Sequence, residues 1–122
     1  MRPMEKASIR YLSADTTLPK RPGASVFVTA AADIGLTLPK SDRQSKGMSV
    51  TLLAETLSSS LGARIIPHTG DTIKGKGITS AASKYYKNTA ATDALGDLVT
   101  VVSDGDGVWW VTDERGTWAR EA

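Results

Sequence analysis

The part of this sequence that comes closest to a chemical motif is the glycine-rich run from Gly70 to Gly77. Its spacing nearly matches the phosphate-binding loop G-x-x-x-x-G-K-[ST]. Gly77 stands where that loop needs the hydroxyl that binds Mg²⁺, and no long helical pattern follows to offer its N-terminus to a phosphate. The run therefore predicts a loop and turn rather than a nucleotide site.

A second run, from Asp104 to Gly107, has the spacing with which a calcium-binding loop begins. The EF-hand pattern also needs a ligand at its fifth position and a glutamate at its twelfth. Those positions hold Val108 and Arg115, which cannot coordinate calcium. Asp-Gly supplies the positive φ values of a tight hairpin, so the run predicts a turn between two strands.

Nucleophilic catalysis has little support in this chain. His68 is the one histidine, no G-x-S-x-G elbow is present, and there is no cysteine to act as nucleophile, thiolate metal ligand or disulfide partner. We therefore expect no enzyme, no cofactor and no metal site.

The aromatic residues are the most informative side chains. Trp109 and Trp110 are neighbours, so on a strand they face opposite sides, one toward the core and the other toward solvent, a subunit contact or a ligand. Trp118, Tyr85 and Tyr86 leave the same alternatives open. Tryptophan serves contact area first, which favours core and interface roles over a sugar-stacking platform. A nucleic-acid platform is disfavoured because stacking on bases needs a wider basic groove.

The overall charge is modest, with 15 basic and 13 acidic residues and a net charge of +2. No segment is basic enough to predict nucleic-acid binding. No apolar run approaches the roughly 18 residues that span a membrane. The start of the chain lacks the apolar stretch of a signal peptide. We expect neither a nucleic acid nor a membrane as partner.

The elements that must position these residues are short strands divided by turns. Ser25–Ala30 alternates, with Val26 and Val28 on one face and Phe27 on the other. Leu98–Ser103 is apolar on both faces, which predicts a strand buried between layers, and Val108–Thr112 returns after the Asp-Gly turn.

With no convincing amphipathic helix, the sequence predicts an all-β fold. We expect a compact antiparallel β-sandwich, jelly-roll-like fold or small barrel. Its length of 122 residues suits one domain. The expected division is residues 1–24 as an extended N-terminal arm or edge strand, and 25–122 as a single β domain.

Several segments recur in an order that resembles a known group of proteins. They are Leu36–Pro39, Gly47–Leu52, Gly70–Gly75, Asn88-Thr89, Gly96–Gly105, Val108–Val111 and Gly116–Trp118. This order is similar to that of the small β-structured domains of tailed-bacteriophage virion proteins, which occur in capsid decoration (cement) proteins and in head- or tail-fibre modules.

The resemblance implies a structural role and carries no catalytic residues. It implies a virion protein, made in the host cytoplasm, that forms a homotrimer and binds the major capsid protein on the outer capsid surface. A fibre or baseplate module is the alternative within that class, and a carbohydrate-binding module with exposed tryptophan is the alternative outside it. The hypothesised contact residues toward an acidic shell are Arg2, Lys6, Arg10, Lys20 and Arg21, with the aromatic residues and the apolar edge of Leu98–Val102 as a second patch.

Overall fold

A computed structural model describes residues 7–30, 34–54, 63–75, 82–88 and 96–121 of the chain. The described residues form strands and no helix. In chain order the strands are β1 (Ala7–Leu12), β2 (Thr16–Thr17), β3 (Ser25–Ala30), β4 (Gly35–Thr37), β5 (Ser49–Ala54), β6 (Arg64–Ile66), β7 (Thr72–Lys74), β8 (Tyr86–Asn88), β9 (Leu98–Ser103), β10 (Val108–Arg115) and β11 (Trp118–Arg120).

These strands form two sheets that pack face to face. The six-stranded sheet has the order β1-β3-β5-β9-β10-β7, and the five-stranded sheet has the order β11-β8-β6-β4-β2. Apolar side chains from both sheets form one buried cluster between them. The predicted all-β sandwich is thereby confirmed.

The first six strands alternate between the two sheets, odd-numbered strands in one and even-numbered strands in the other. Because the chain crosses over and returns each time, successive strands of one sheet run in the same direction. β1, β3 and β5 therefore pair in parallel, as do β2, β4 and β6. The sheets are mixed, whereas the sequence led us to expect antiparallel strands.

The strand direction reverses at β8 in one sheet and at β9 in the other. β9 is antiparallel to both β5 and β10, and β8 is antiparallel to both β6 and β11. Gly105 and Gly107 adopt φ values of 79° and 85° in the turn between β9 and β10, as a tight hairpin requires. A register shift between Val111 and Asp113 allows β10 to continue to Arg115. The sequence predicted that this strand ends at Thr112. It continues because a bulge absorbs an extra residue without ending the pairing.

The core follows from strict alternation along the central strands. Val50, Leu52, Val99 and Val101 are fully buried, while their neighbours in β5 and β9 face outward. Burying one such side chain stabilises the fold by about 1.5–3 kcal/mol. Trp109 is also fully buried and fills the space between the sheets at the start of β10.

The N-terminal part of the described chain belongs to the sheets. β1 and β2 are edge strands, one in each sheet, and Leu12 and Leu18 are buried in the core. Of the predicted segment 1–24, residues 7–24 are therefore part of the sandwich, and residues 1–6 lie outside the described residues.

A buried hydroxyl network joins the loops at one end of the sandwich, which we call the turn end because it holds the turn 104–107. Ser103 Oγ lies 2.9 Å from Ser41 Oγ and 3.2 Å from Ser45 Oγ. The backbone N–H of Ser41 donates to Asp71 at 2.7 Å. The polar and charged composition of residues 41–47 favours an exposed loop. Ser41 and Ser45 are instead buried, because their hydroxyls find partners inside.

Candidate interaction surface

The outward side of the six-stranded sheet carries no charged side chain on three neighbouring strands, β3, β5 and β9, whereas the adjoining β10 pairs Asp113 with Thr100 and Arg115 with Leu98. β3, β5 and β9 each contribute alternate residues there, and most are half-buried in the chain alone. We call this set the uncharged face: Ser25, Phe27, Thr29, Ser49, Thr51, Leu53, Leu98, Thr100 and Val102.

The hydroxyl groups of the uncharged face are partly satisfied within it. Thr51 Oγ1 and Thr100 Oγ1 lie 2.8 Å apart across the pairing of β5 with β9. A polar group that already has a partner costs less to remove from water than a free one. Covering this part of the sheet with another protein is therefore less costly than its threonine content suggests.

β9 supplies the main departure from the expected burial. The sequence predicted that Leu98–Ser103 lies between two layers, because both of its faces carry apolar residues. The structure covers only Val99, Val101 and Ser103, while Leu98 and Val102 stay partly exposed on the uncharged face. β9 therefore has the composition of a strand covered on both sides, but only one of its sides is covered within this chain.

Two aromatic side chains border the uncharged face. Tyr11 on β1 is 58% exposed and Trp110 on β10 is 44% exposed. Trp110 lies beside Val102 on one neighbouring strand and beside Lys74 on the other. The Lys74 ammonium is 5.8 Å from the centre of the Trp110 ring, within the range of a cation–π contact.

Asp104 fixes the orientation of Trp110. Its carboxylate accepts the indole N–H at 3.2 Å and the backbone N–H groups of Asp106 and Val108 at 2.7 and 3.2 Å. Burial by itself raises the pKa of Asp104, but these hydrogen bonds outweigh it and hold the pKa below its ordinary value. Asp104, the first residue of the calcium-like spacing, thus stabilises the turn through these hydrogen bonds.

The other aromatic residues singled out from the sequence lie inside or half inside the sandwich. Trp109 and Trp118 are buried, and their indole N–H groups donate to the backbone oxygens of Pro39 and Arg115. Tyr86 stacks on Trp118 with ring centres 5.9 Å apart. Tyr85 is half-buried and binds Glu121 through its backbone. Of the three tryptophans, Trp110 alone is positioned for an external contact.

Tyr86 also joins the two sheets. Its hydroxyl donates to the Glu114 carboxylate at 2.6 Å. Burial, and then the neighbouring carboxylate, raise the pKa of Tyr86 well above its ordinary value, so the hydroxyl remains a donor. This tyrosine is a structural link rather than a contact residue.

The predicted basic contact residues fall into two groups. Arg2 and Lys6 lie outside the described residues, and the described part of Arg10 is its backbone within β1. Lys20 and Arg21 are exposed at the turn end, where Lys20 Nζ lies 2.6 Å from the Asp42 carboxylate.

Sequence reasoning missed the basic residues that join Lys20 and Arg21 at the turn end. Lys40, Arg43 and Lys46 are exposed on the loop that follows β4. The two loops touch, since the Gly23 N–H donates to the Lys46 oxygen at 3.2 Å. The charge of 41–47 was visible in the sequence, but its contact with residues 19–24 was not.

The remaining chemical motifs have structural roles where they are described. Gly70 begins a turn and Thr72–Lys74 pairs as β7, so this part of the glycine-rich run is a strand where a phosphate-binding motif has an open loop. Lys76 and Gly77, the end of the run, lie outside the described residues. His68 is exposed, with its Nδ1 3.0 Å from the Thr69 backbone oxygen. Within the described ranges, no group of three potential ligand side chains could hold a metal ion. No helix of those ranges is long and apolar enough to span a membrane.

Comparison with known proteins adds no relative. No protein-family model, no curated protein and no solved structure matches this chain.

Proposed function

We propose that this chain is a structural protein of a bacteriophage virion, a decoration protein that binds the shell of the major capsid protein and stabilises it. It acts by binding, without catalysis. The observation that carries the proposal is the uncharged face bordered by Tyr11 and Trp110. Protein interfaces have cores depleted in charge and enriched in aromatic residues.

The order of the sequence motifs supports a virion as the assembly concerned. Their similarity to phage virion β domains extends over about residues 36–119. The segments that begin at Gly70, Gly96 and Val108 contribute β7, β9 and β10, and β10 lies between the other two strands. The motifs thus describe one continuous part of the six-stranded sheet beside Trp110.

A homotrimer is the oligomer that the same proposal includes. Around a threefold axis each subunit contacts its neighbours through two different patches, because the contact is heterologous. This part of the proposal rests on the resemblance of the sequence motifs.

The direct test is immunogold labelling of intact virions of the phage that encodes the chain, with copy number measured by quantitative mass spectrometry. We expect dense label over the head and hundreds of copies per particle. Label confined to the tail or to sparse projections would replace the decoration role with a fibre or baseplate module. An absence of label and of peptides from purified particles would refute the virion proposal.

A second candidate function, carbohydrate binding, is favoured by one observation. Trp110 offers a partly exposed ring held in place by Asp104, and an exposed tryptophan can stack on a sugar. The test is tryptophan fluorescence during titration with a glycan panel, comparing the natural chain with Trp110→Ala and with the control Tyr11→Ala. A saturable change that only Trp110→Ala abolishes would favour the sugar site. An unchanged spectrum across the panel would remove it.

A further inference from the structure

The turn end of the sandwich concentrates exposed positive charge. The loops 19–24 and 39–47 contain five basic residues and one acidic residue, and all five basic side chains are exposed. We call this set the basic rim: Lys20, Arg21, Lys40, Arg43 and Lys46. It is assembled from two loops that are some 20 residues apart in the chain.

The basic rim has one ion pair among the described residues. Lys20 is paired with Asp42, and the Lys20 ammonium holds the pKa of that carboxyl below its ordinary value. Among the described residues, the other four rim side chains make no ion pair. Two basic residues outside the rim do have local contacts, since Arg64 approaches Asp15 at 4.0 Å and Lys74 lies over Trp110.

The basic rim adjoins the uncharged face. Ser25 follows directly after the first loop and Ser49 lies two residues after the second, and both belong to that face. Lys46 also packs beside Gly105, in the turn whose Asp104 holds Trp110. An apolar centre beside a charged margin is the usual layout of a protein interface.

We infer that the basic rim docks an acidic protein surface and guides it onto the uncharged face. This inference rests on the assembly role proposed above and specifies the chemistry of the partner. Carboxylates within and beside the rim, Asp42, Asp104 and Asp106, favour a protein surface of mixed charge over the uniform phosphates of a nucleic acid. Charges at such margins chiefly accelerate association.

The test uses two variants of the full chain that lose the same number of positive charges. The rim variant carries Lys40→Gln, Arg43→Gln and Lys46→Gln. Lys20 is kept because its ion pair with Asp42 joins the loops. The control variant carries Arg64→Gln, Lys87→Gln and Arg120→Gln, which lie on β6, β8 and β11 of the five-stranded sheet.

The probes are fluorescent poly-L-glutamate and a fluorescent 20-base-pair DNA duplex. Their binding is measured by fluorescence anisotropy at 50 and 200 mM NaCl. We expect the rim variant to bind poly-L-glutamate about tenfold more weakly at the lower salt, and the control variant to stay within about twofold of the natural chain. Far-ultraviolet circular dichroism checks that each variant is folded.

Three results would overturn the inference. The first is that the natural chain does not bind poly-L-glutamate, and the second is that both variants weaken binding equally, which would make net charge the cause. Rim-dependent binding of DNA more than about tenfold tighter than that of poly-L-glutamate would assign the rim to nucleic acid. Because neither probe contains a capsid, these results are independent of the labelling of virions.

Discussion

The outer sides of the two sheets differ in charge, although the same alternation of side chains produces both. On the five-stranded sheet Arg64 and Lys87 lie directly opposite each other on β6 and β8. Like charges in such a pair repel unless water screens them, so this side is suited to solvent. The corresponding positions of the six-stranded sheet carry Thr51 and Thr100, joined by a hydrogen bond.

This contrast separates what folding requires from what a further contact requires. Both sheets bury their inner sides equally well, with fully buried residues such as Leu36 and Ile65 on one and Val50 and Val99 on the other. The core therefore does not explain why β3, β5 and β9 lack charge on their outer side. The proposed contact with another protein would explain it, because a charge buried without a partner is costly.

The largest expected effect tests which side of β10 faces inward. Trp109→Ala should lower the free energy of unfolding by about 3–5 kcal/mol, because it empties the space between the sheets. Trp110→Ala should lower it by less than about 1 kcal/mol, since that ring is partly in water. Urea unfolding followed by circular dichroism measures both values. Similar losses in the two variants would contradict the assigned sides.

The second prediction places a charge on each outer side in turn. Thr51→Glu should weaken binding to capsid shells that lack this protein by about 3 kcal/mol, because the carboxylate would be buried without a partner. The matched control Thr37→Glu lies on β4 of the other sheet and should bind normally. Bound copies per shell are counted by quantitative mass spectrometry. A control that binds as weakly as Thr51→Glu would remove the difference between the two sides.

A smaller effect is expected from the threonine pair itself. Thr51→Val or Thr100→Val alone should destabilise the fold by about 0.5–1 kcal/mol, because the remaining hydroxyl loses its partner. The double variant should recover part of that loss and should still bind shells. A double-mutant cycle in urea gives the coupling energy. Purely additive losses would show that the hydrogen bond does not lower the cost of covering this side.

The smallest effect concerns the border of the uncharged face at Asp104. Its pKa is lower in the folded chain than the ordinary value of 3.8, so its contribution to stability is present above that value and is lost as the pH falls through the folded pKa. The melting temperature should therefore fall more between pH 5 and pH 3 for the natural chain than for Asp104→Asn. Equal slopes in the two proteins would mean that Asp104 does not stabilise the turn through its charge.

Much of the secondary structure could be predicted because local chemistry determines it. The strands Ser25–Ala30 and Leu98–Ser103 have the bounds that the sequence indicates, and the turn after Ser103 is where Asp-Gly places it. Alternation also placed Val26 and Val28 on the same side of their strand, and in the structure that side is buried. These properties depend on neighbours within a few residues, so a local pattern suffices.

The candidate surface was predicted only in part. The pair Trp109-Trp110 indicated one inward and one outward ring, but its sequence does not say which ring is which. β10 pairs with β9 in the register that directs Trp109 inward, and this depends on contacts between two strands. Trp118 and Tyr86 are in the core for the same reason, since each lies on the inner side of a short strand in the five-stranded sheet.

The sequence by itself determined an all-β chain of short strands, the position of its hairpin and the lack of charge at alternate positions of β5 and β9. Only the tertiary structure decided that the early strands pair in parallel, that Leu98 and Val102 remain on the outside, and that the loops 19–24 and 39–47 meet. The physical reason is the separation along the chain over which each interaction acts. Alternation and turn geometry act between adjacent residues, whereas sheet pairing and loop contacts join residues far apart in the chain, whose positions are set by the packing of the whole core.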